Sequence, residues 1–140
     1  MVFIRWYKRH FVSFVGEVKK LPSYNIRISI AKLRLDLFDG NRLIRSYPVA
    51  LGKIATSTPR GDFTIISKVP YPNSYPGGRL SAFGTLWMGL SKPHYGIHGT
   101  NDPSSIGKYV SHGCIRMFNE DVNALAKIVP IGTPVRIRQQ

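Results

Sequence analysis

From residue 25 the chain alternates. Ile26, Ile28 and Ile30 are separated by Arg27 and Ser29, and Leu33, Leu35 and Leu37 by Arg34 and Asp36. In an extended strand a period of two sends every second side chain to the same face, so each run has an apolar face to bury. Asp39-Gly40-Asn41 follows, and these residue types tolerate the positive φ of a tight hairpin. "RLIRSYPVAL" (42–51) reads as the returning strand, "STPRG" (57–61) as a turn and "DFTIISKV" (62–69) as a further strand. "TLWMGL" and "YGIHG" read as short buried strands, and "PVRIR" (134–138) alternates again. A chain patterned in this way has to build sheet.

One segment departs from the pattern. In "NEDVNALAKIV" (119–129), Val122, Leu125, Ala126 and Val129 fall on one helical face, and Pro130 ends the run. Asn119 is expected to N-cap this helix, with Glu120 and Asp121 near the positive end of its dipole. "PYPNSYPGGRLSAFG" (70–84) is too rich in proline and glycine for a central strand or a helix interior. A long loop of this kind serves either as a lid or binding loop or as plain surface.

The 140 residues fit one domain with one core. A formal net charge of +13 favours polyanionic partners. No zinc-finger spacing, RNP-like motif or helix-turn-helix accompanies the charge, so nucleic acid is not expected as a partner. Residues 1–23 form a basic extension in which Ile4, Tyr7, Phe11, Phe14 and Val18 share a helical face. They are expected to pack on the domain rather than to bind an anionic surface. The run Phe11–Val15 is too short for the core of a signal peptide, and Leu80–Ser91 too short to span a bilayer. No signal peptide or transmembrane segment is readable.

The single cysteine, Cys114, cannot form an internal disulfide. It lies in "YVSHGCIRMFN" (109–119), and its chemistry as a nucleophile depends on deprotonation. Two histidines are candidate bases. His112 is two residues away, and His98, in "GIHGT", lies sixteen residues upstream on a neighbouring strand end. Gly99 and Gly113 flank the two sites, and the N–H groups of Gly113 and Cys114 could face a developing oxyanion. A zinc site built from His94, His98, His112 and Cys114 is a rival. "HYGIH" is not helical, however, so its two histidines gain no common face. No metal and no cofactor are expected.

"GIHGT" followed by "SHGCIRMFNED" resembles the signature of the L,D-transpeptidase catalytic domain family, the YkuD type. "DLFDGNRLIRSYPVALGK", "STPRGDFTI", "LW" and "GTPVRI" are similar to that family as well. The resemblance covers about residues 24–138, which sets the catalytic domain at 24–140. It implies a mostly β fold, a mixed β-sheet sandwich with one main α-helix after the cysteine loop. It also implies action on peptidoglycan stem peptides. Cys114 would attack the carbonyl at stem position three, release the terminal D-amino acid and form a thioester. The amine of a second stem would then take the acyl group, giving a 3→3 cross-link.

In this resemblance His98 is the proton acceptor and donor, and a backbone carbonyl near Gly99 or Thr100 orients it. His112 supports the oxyanion side, where Gly113 and Cys114 donate. Arg116 meets a substrate carboxylate or else forms an ion pair with Asp121 or Asp102. Ser111 and Asn119 are mainly structural. A monomer in the cell wall or periplasm is implied, and anionic wall polymers suit the charge. The rival functions are an L,D-carboxypeptidase with water as acceptor, and a non-catalytic wall-binding module. A papain-like peptidase fits less well, because there the cysteine precedes the histidine along the chain.

Overall fold

The computed structural model describes residues 20–72 and 80–140. The amphipathic run at residues 4–18 lies outside these residues, as do residues 73–79 of the loop at 70–84. Among the described residues the strands are β1 (Tyr24–Ser29), β2 (Arg34–Asp39), β3 (Arg42–Pro48), β4 (Leu51–Gly52), β5 (Gly61–Pro70), β6 (Leu86–Leu90), β7 (Gly96–His98), β8 (Tyr109–Ser111), β9 (Ile115–Arg116) and β10 (Pro134–Arg138). One α-helix, α1 (Asn119–Ile128), lies between β9 and β10.

Eight strands form one sheet in the order β3-β2-β1-β10-β5-β6-β7-β9, while β4 and β8 form a separate parallel pair. The large sheet is mixed: β1 runs parallel to β10 and β7 to β9, and its other pairings are antiparallel. It curls as a half-barrel, with the helix following the cysteine loop.

The alternation in the sequence sets this sheet. Ile26 and Ile28 of β1 pair with Leu37 and Leu35 of β2 and with Val135 and Ile137 of β10, and all six side chains are buried. Burying each such side chain contributes about 1.5–3 kcal/mol. Gly40, at φ 59°, turns the hairpin from β2 into β3. The expected strand at 42–51 is broken. β3 ends at Pro48 as an edge strand that buries only Tyr47, and Ala50 then bridges to Arg116.

Helix α1 buries Val122, Leu125 and Ala126 and packs on β6 and β7. Lys68 of β5 donates to the Ala126 carbonyl at 2.8 Å, satisfying one of the carbonyls left open near the helix end. The N-cap differs from expectation. Phe118 occupies that position without a side-chain cap, and Asn119 is the first helical residue. The Asn119 amide goes instead to backbone groups of residues 85 and 100, which leaves it nothing to offer its own helix.

Candidate active site

β7 and β9 position the chemistry. Their parallel register pairs Ile97 with Ile115 and His98 with Arg116. One residue earlier, Cys114 comes level with Gly96, whose backbone hydrogen-bonds the thiol. Cys114 is the bend residue just before β9, two residues ahead of Arg116, which lies beside His98. The Arg116 charge acts on both His98 and Cys114. The thiol also donates to the His94 carbonyl at 3.7 Å.

The loop before the cysteine is closed by Ser111. Its hydroxyl donates to the Cys114 carbonyl at 2.7 Å and accepts the Gly113 N–H at 3.1 Å. An oxyanion would therefore compete with Ser111 for the Gly113 donor. Gly113 sits at φ 116°, and a Cβ there would come within 2.7 Å of the Tyr95 ring. Both the dihedral and the contact exclude other residues. Lys53 N–H and Thr56 Oγ1 donate to the Ser111 carbonyl at 3.1 and 2.9 Å, tying the loop to residues 53–56.

His98 is buried, and its Nδ1 lies 2.5 Å from the Gly99 carbonyl. A carbonyl only accepts, so Nδ1 carries the proton and the Nε2 lone pair is left to take another. Trp87, paired with His98 across β6 and β7, stacks on the imidazole with ring centres 5.5 Å apart. Phe83 meets the same ring edge-on at 5.1 Å. This enclosure lowers the His98 pKa to about 4, chiefly through burial, with the Arg116 charge acting in the same direction and the Gly99 carbonyl opposing it.

Burial raises the Cys114 pKa, against the Gly96 backbone and the Arg116 charge, which lower it. A neutral thiol and a neutral imidazole are the forms that these shifts favour.

Arg116 forms no ion pair with Asp102 or Asp121 among the described residues, and its buried Nε has no hydrogen-bond partner. Thr100 is buried and holds the segment after His98 through its backbone bonds to Asn119. His112 is exposed. Among the described residues no group of three His, Cys, Asp or Glu side chains could hold a metal. Sequence reasoning missed the aromatic enclosure and the Asn119 amide. "LW" marked Trp87, but the stack depends on sheet register.

The L,D-transpeptidase catalytic domain (YkuD) profile matches residues 23–137. The chain belongs to that family. It is 55% identical over 114 residues to the YkuD protein of Bacillus licheniformis, covering 81% of this chain and 65% of that protein. With its Bacillus subtilis counterpart it shares 53% over 116 residues, covering 83% and 66%. The chain thus spans just under two thirds of these relatives. An L,D-transpeptidase from Mycobacterium smegmatis superposes with a TM-score of 0.71 at 21% identity, covering 84% of this chain and 59% of that one. The catalytic domain of the Enterococcus faecium L,D-transpeptidase gives 0.68 at 20%, covering 86% and all of that domain. These structural likenesses concern the fold. Among the described residues no helix is long and apolar enough to cross a membrane.

Proposed function

We propose that this chain is a cysteine-dependent L,D-transpeptidase acting on peptidoglycan stem peptides. The observation that carries the reading is the β7–β9 pairing, which sets Arg116 beside His98 and leaves Cys114, two residues before it, against the Gly96 backbone, with the His98 Nδ1 committed to Gly99. Cys114 Sγ attacks the carbonyl of the residue at stem position three while His98 Nε2 takes the thiol proton. The tetrahedral oxyanion faces the Cys114 N–H and the Gly113 N–H, the latter released from Ser111 Oγ. Collapse breaks the amide bond, and His98 returns the proton to the departing D-amino acid. The thioester remains on Cys114.

The side-chain amine of a second stem's diamino acid attacks this thioester and gives a proton to His98. The Cys114 sulfur leaves and is reprotonated by His98, completing a 3→3 cross-link. Water in place of the amine gives the carboxypeptidase outcome through the same steps. Arg116 serves as the cation that favours the developing thiolate, and its guanidinium meets a substrate carboxylate. His112 supports the entrance to the oxyanion side. The site of action is the cell wall or periplasm.

The deciding experiment is intact-mass spectrometry after incubation with a carbapenem. A single covalent adduct on Cys114, absent in a folded Cys114→Ala variant, is the expected result. An unmodified wild-type protein, or an adduct that survives Cys114→Ala, would remove the assignment.

A further inference from the structure

Asn119 opens α1, yet its amide is spent on other segments. It is only 7% exposed. Oδ1 accepts the N–H groups of Thr100 at 3.0 Å and Thr85 at 3.2 Å, and Nδ2 donates to the Thr100 carbonyl at 3.0 Å. The packing around it is close. A Cβ added at Gly84 or at Gly99 would run into Asn119 Oδ1.

The Thr100 N–H and the Gly99 carbonyl belong to one peptide unit. That unit is planar, so its two polar ends turn together and point in opposite directions. The N–H end is held by Asn119 Oδ1, and the carbonyl end faces His98 Nδ1 at 2.5 Å. The peptide is therefore clamped between the start of the helix and the imidazole. Where a triad would use a carboxylate to set the ring, this site uses a carbonyl whose direction is set from behind.

We propose that Asn119 is a positioning residue for His98: by fixing the Gly99–Thr100 peptide plane it sets the tautomer and angle of the imidazole. The proposal rests on His98 being the proton acceptor from Cys114. The chain of contacts runs from the rigid first turn of α1 through the Asn119 amide and one peptide plane to the ring. If the plane is freed to rotate, the Nδ1–H loses its acceptor. The buried ring then has no reason to keep its proton on that nitrogen, and an Nε2–H tautomer cannot accept from the thiol. A purely structural amide would tie the residues around 85 and 100 to the helix without affecting the ring's proton.

The test compares wild type, Asn119→Ala and Asn119→Asp in two readouts. One is the nitrogen–proton NMR spectrum of the His98 imidazole at neutral pH. The other is the rate at which a carbapenem acylates Cys114. Wild type is expected to show one Nδ1–H tautomer. Folded Asn119→Ala should show mixed tautomers and acylate on the order of ten- to a hundredfold more slowly, the usual cost of losing a group that orients a reacting one. Asn119→Asp keeps Oδ1 as acceptor but sets a second oxygen where Nδ2 donates to the Thr100 carbonyl, so it should hold the single tautomer and most of the rate only with that carboxyl protonated, read against wild type at pH 5.

A folded Asn119→Ala with the wild-type tautomer, or with the wild-type rate, overturns the proposal. If Asn119→Ala does not fold, Asn119→Leu, of nearly the same shape but without polar side-chain atoms, decides: mixed tautomers support the clamp and the wild-type tautomer overturns it. His98→Ala is the separate arm. Acylation at the wild-type rate in that variant defeats the assignment of His98 as base, while the ring spectra of the other proteins still report whether Asn119 sets the tautomer.

Discussion

Arg116 lies directly beside His98 across the parallel β7–β9 pair, and its charge lowers the pKa of His98 and of Cys114 together. One cation thus favours the deprotonated form of both groups. Arg116→Met keeps most of the side-chain bulk and removes the charge. The thiol pKa should rise further and the His98 pKa should move back up toward its ordinary value. Alkylation of Cys114 by iodoacetamide at pH 8 should slow severalfold. An unchanged alkylation–pH curve would show that the guanidinium does not act on the thiol.

The depressed His98 pKa makes fold stability depend on pH. The folded value is about 4, against 6.5 for the unperturbed group. Between these values the unfolded chain binds the proton and the folded chain does not, so stability falls as pH drops through the window. The loss begins near pH 6.5 and is complete below about pH 4. At about 1.36 kcal/mol per pH unit it amounts to about 3 kcal/mol from this group. Urea unfolding across that range should show the loss in wild type and not in His98→Gln. Parallel curves for the two proteins would mean that His98 is not held neutral by burial.

Part of the positive charge gathers on one face of the sheet. Arg27 and Arg136 face each other on β1 and β10, with Arg34 and Arg138 one row along on the same face, and Lys32 adjoins them. Asp36 and Asp62 only partly offset them. Two hollows of about 510 and 240 Å³ share Arg27 and Arg136 in their walls. Guanidinium groups pair well with phosphate, which suits a phosphodiester wall polymer. Arg27→Glu with Arg136→Glu should weaken salt-sensitive retention on a poly(glycerol phosphate) matrix and leave carbapenem acylation unchanged. Equal retention of the double variant would rule out this face as a polyanion site.

Much of the sheet was legible because its longer strands alternate. Ile26 and Ile28, or Leu35 and Leu37, declare their buried face locally, and Gly40 declares the turn. β4, β8 and β9 span two or three residues each, too few to show any period. They exist because Leu51 meets Tyr109 and Ile115 meets Ile97, pairings between distant parts of the chain. Cys114 and His98 stood out through the motifs around them. Asn119 was read for the wrong task. An asparagine at a helix start ordinarily caps it, and nothing near position 119 announces partners at residues 85 and 100. The stack of Trp87 on His98 was invisible for the same reason: antiparallel register, not spacing along the chain, brings the rings together.

The last strand, β10, is inserted between β1 and β5, in the interior of the sheet. A ribosome releasing the chain from its N-terminus therefore delivers both flanks before the piece that joins them. Until residues 134–138 emerge, Ile26 and Ile28 lack their partners Val135 and Ile137, and β1 and β5 have an unfilled slot between them. Closure of the sheet thus waits on translation of a segment that carries none of the candidate site residues. A premature stop removing little more than β10 would divide the sheet in two while leaving every residue of the candidate site in the chain.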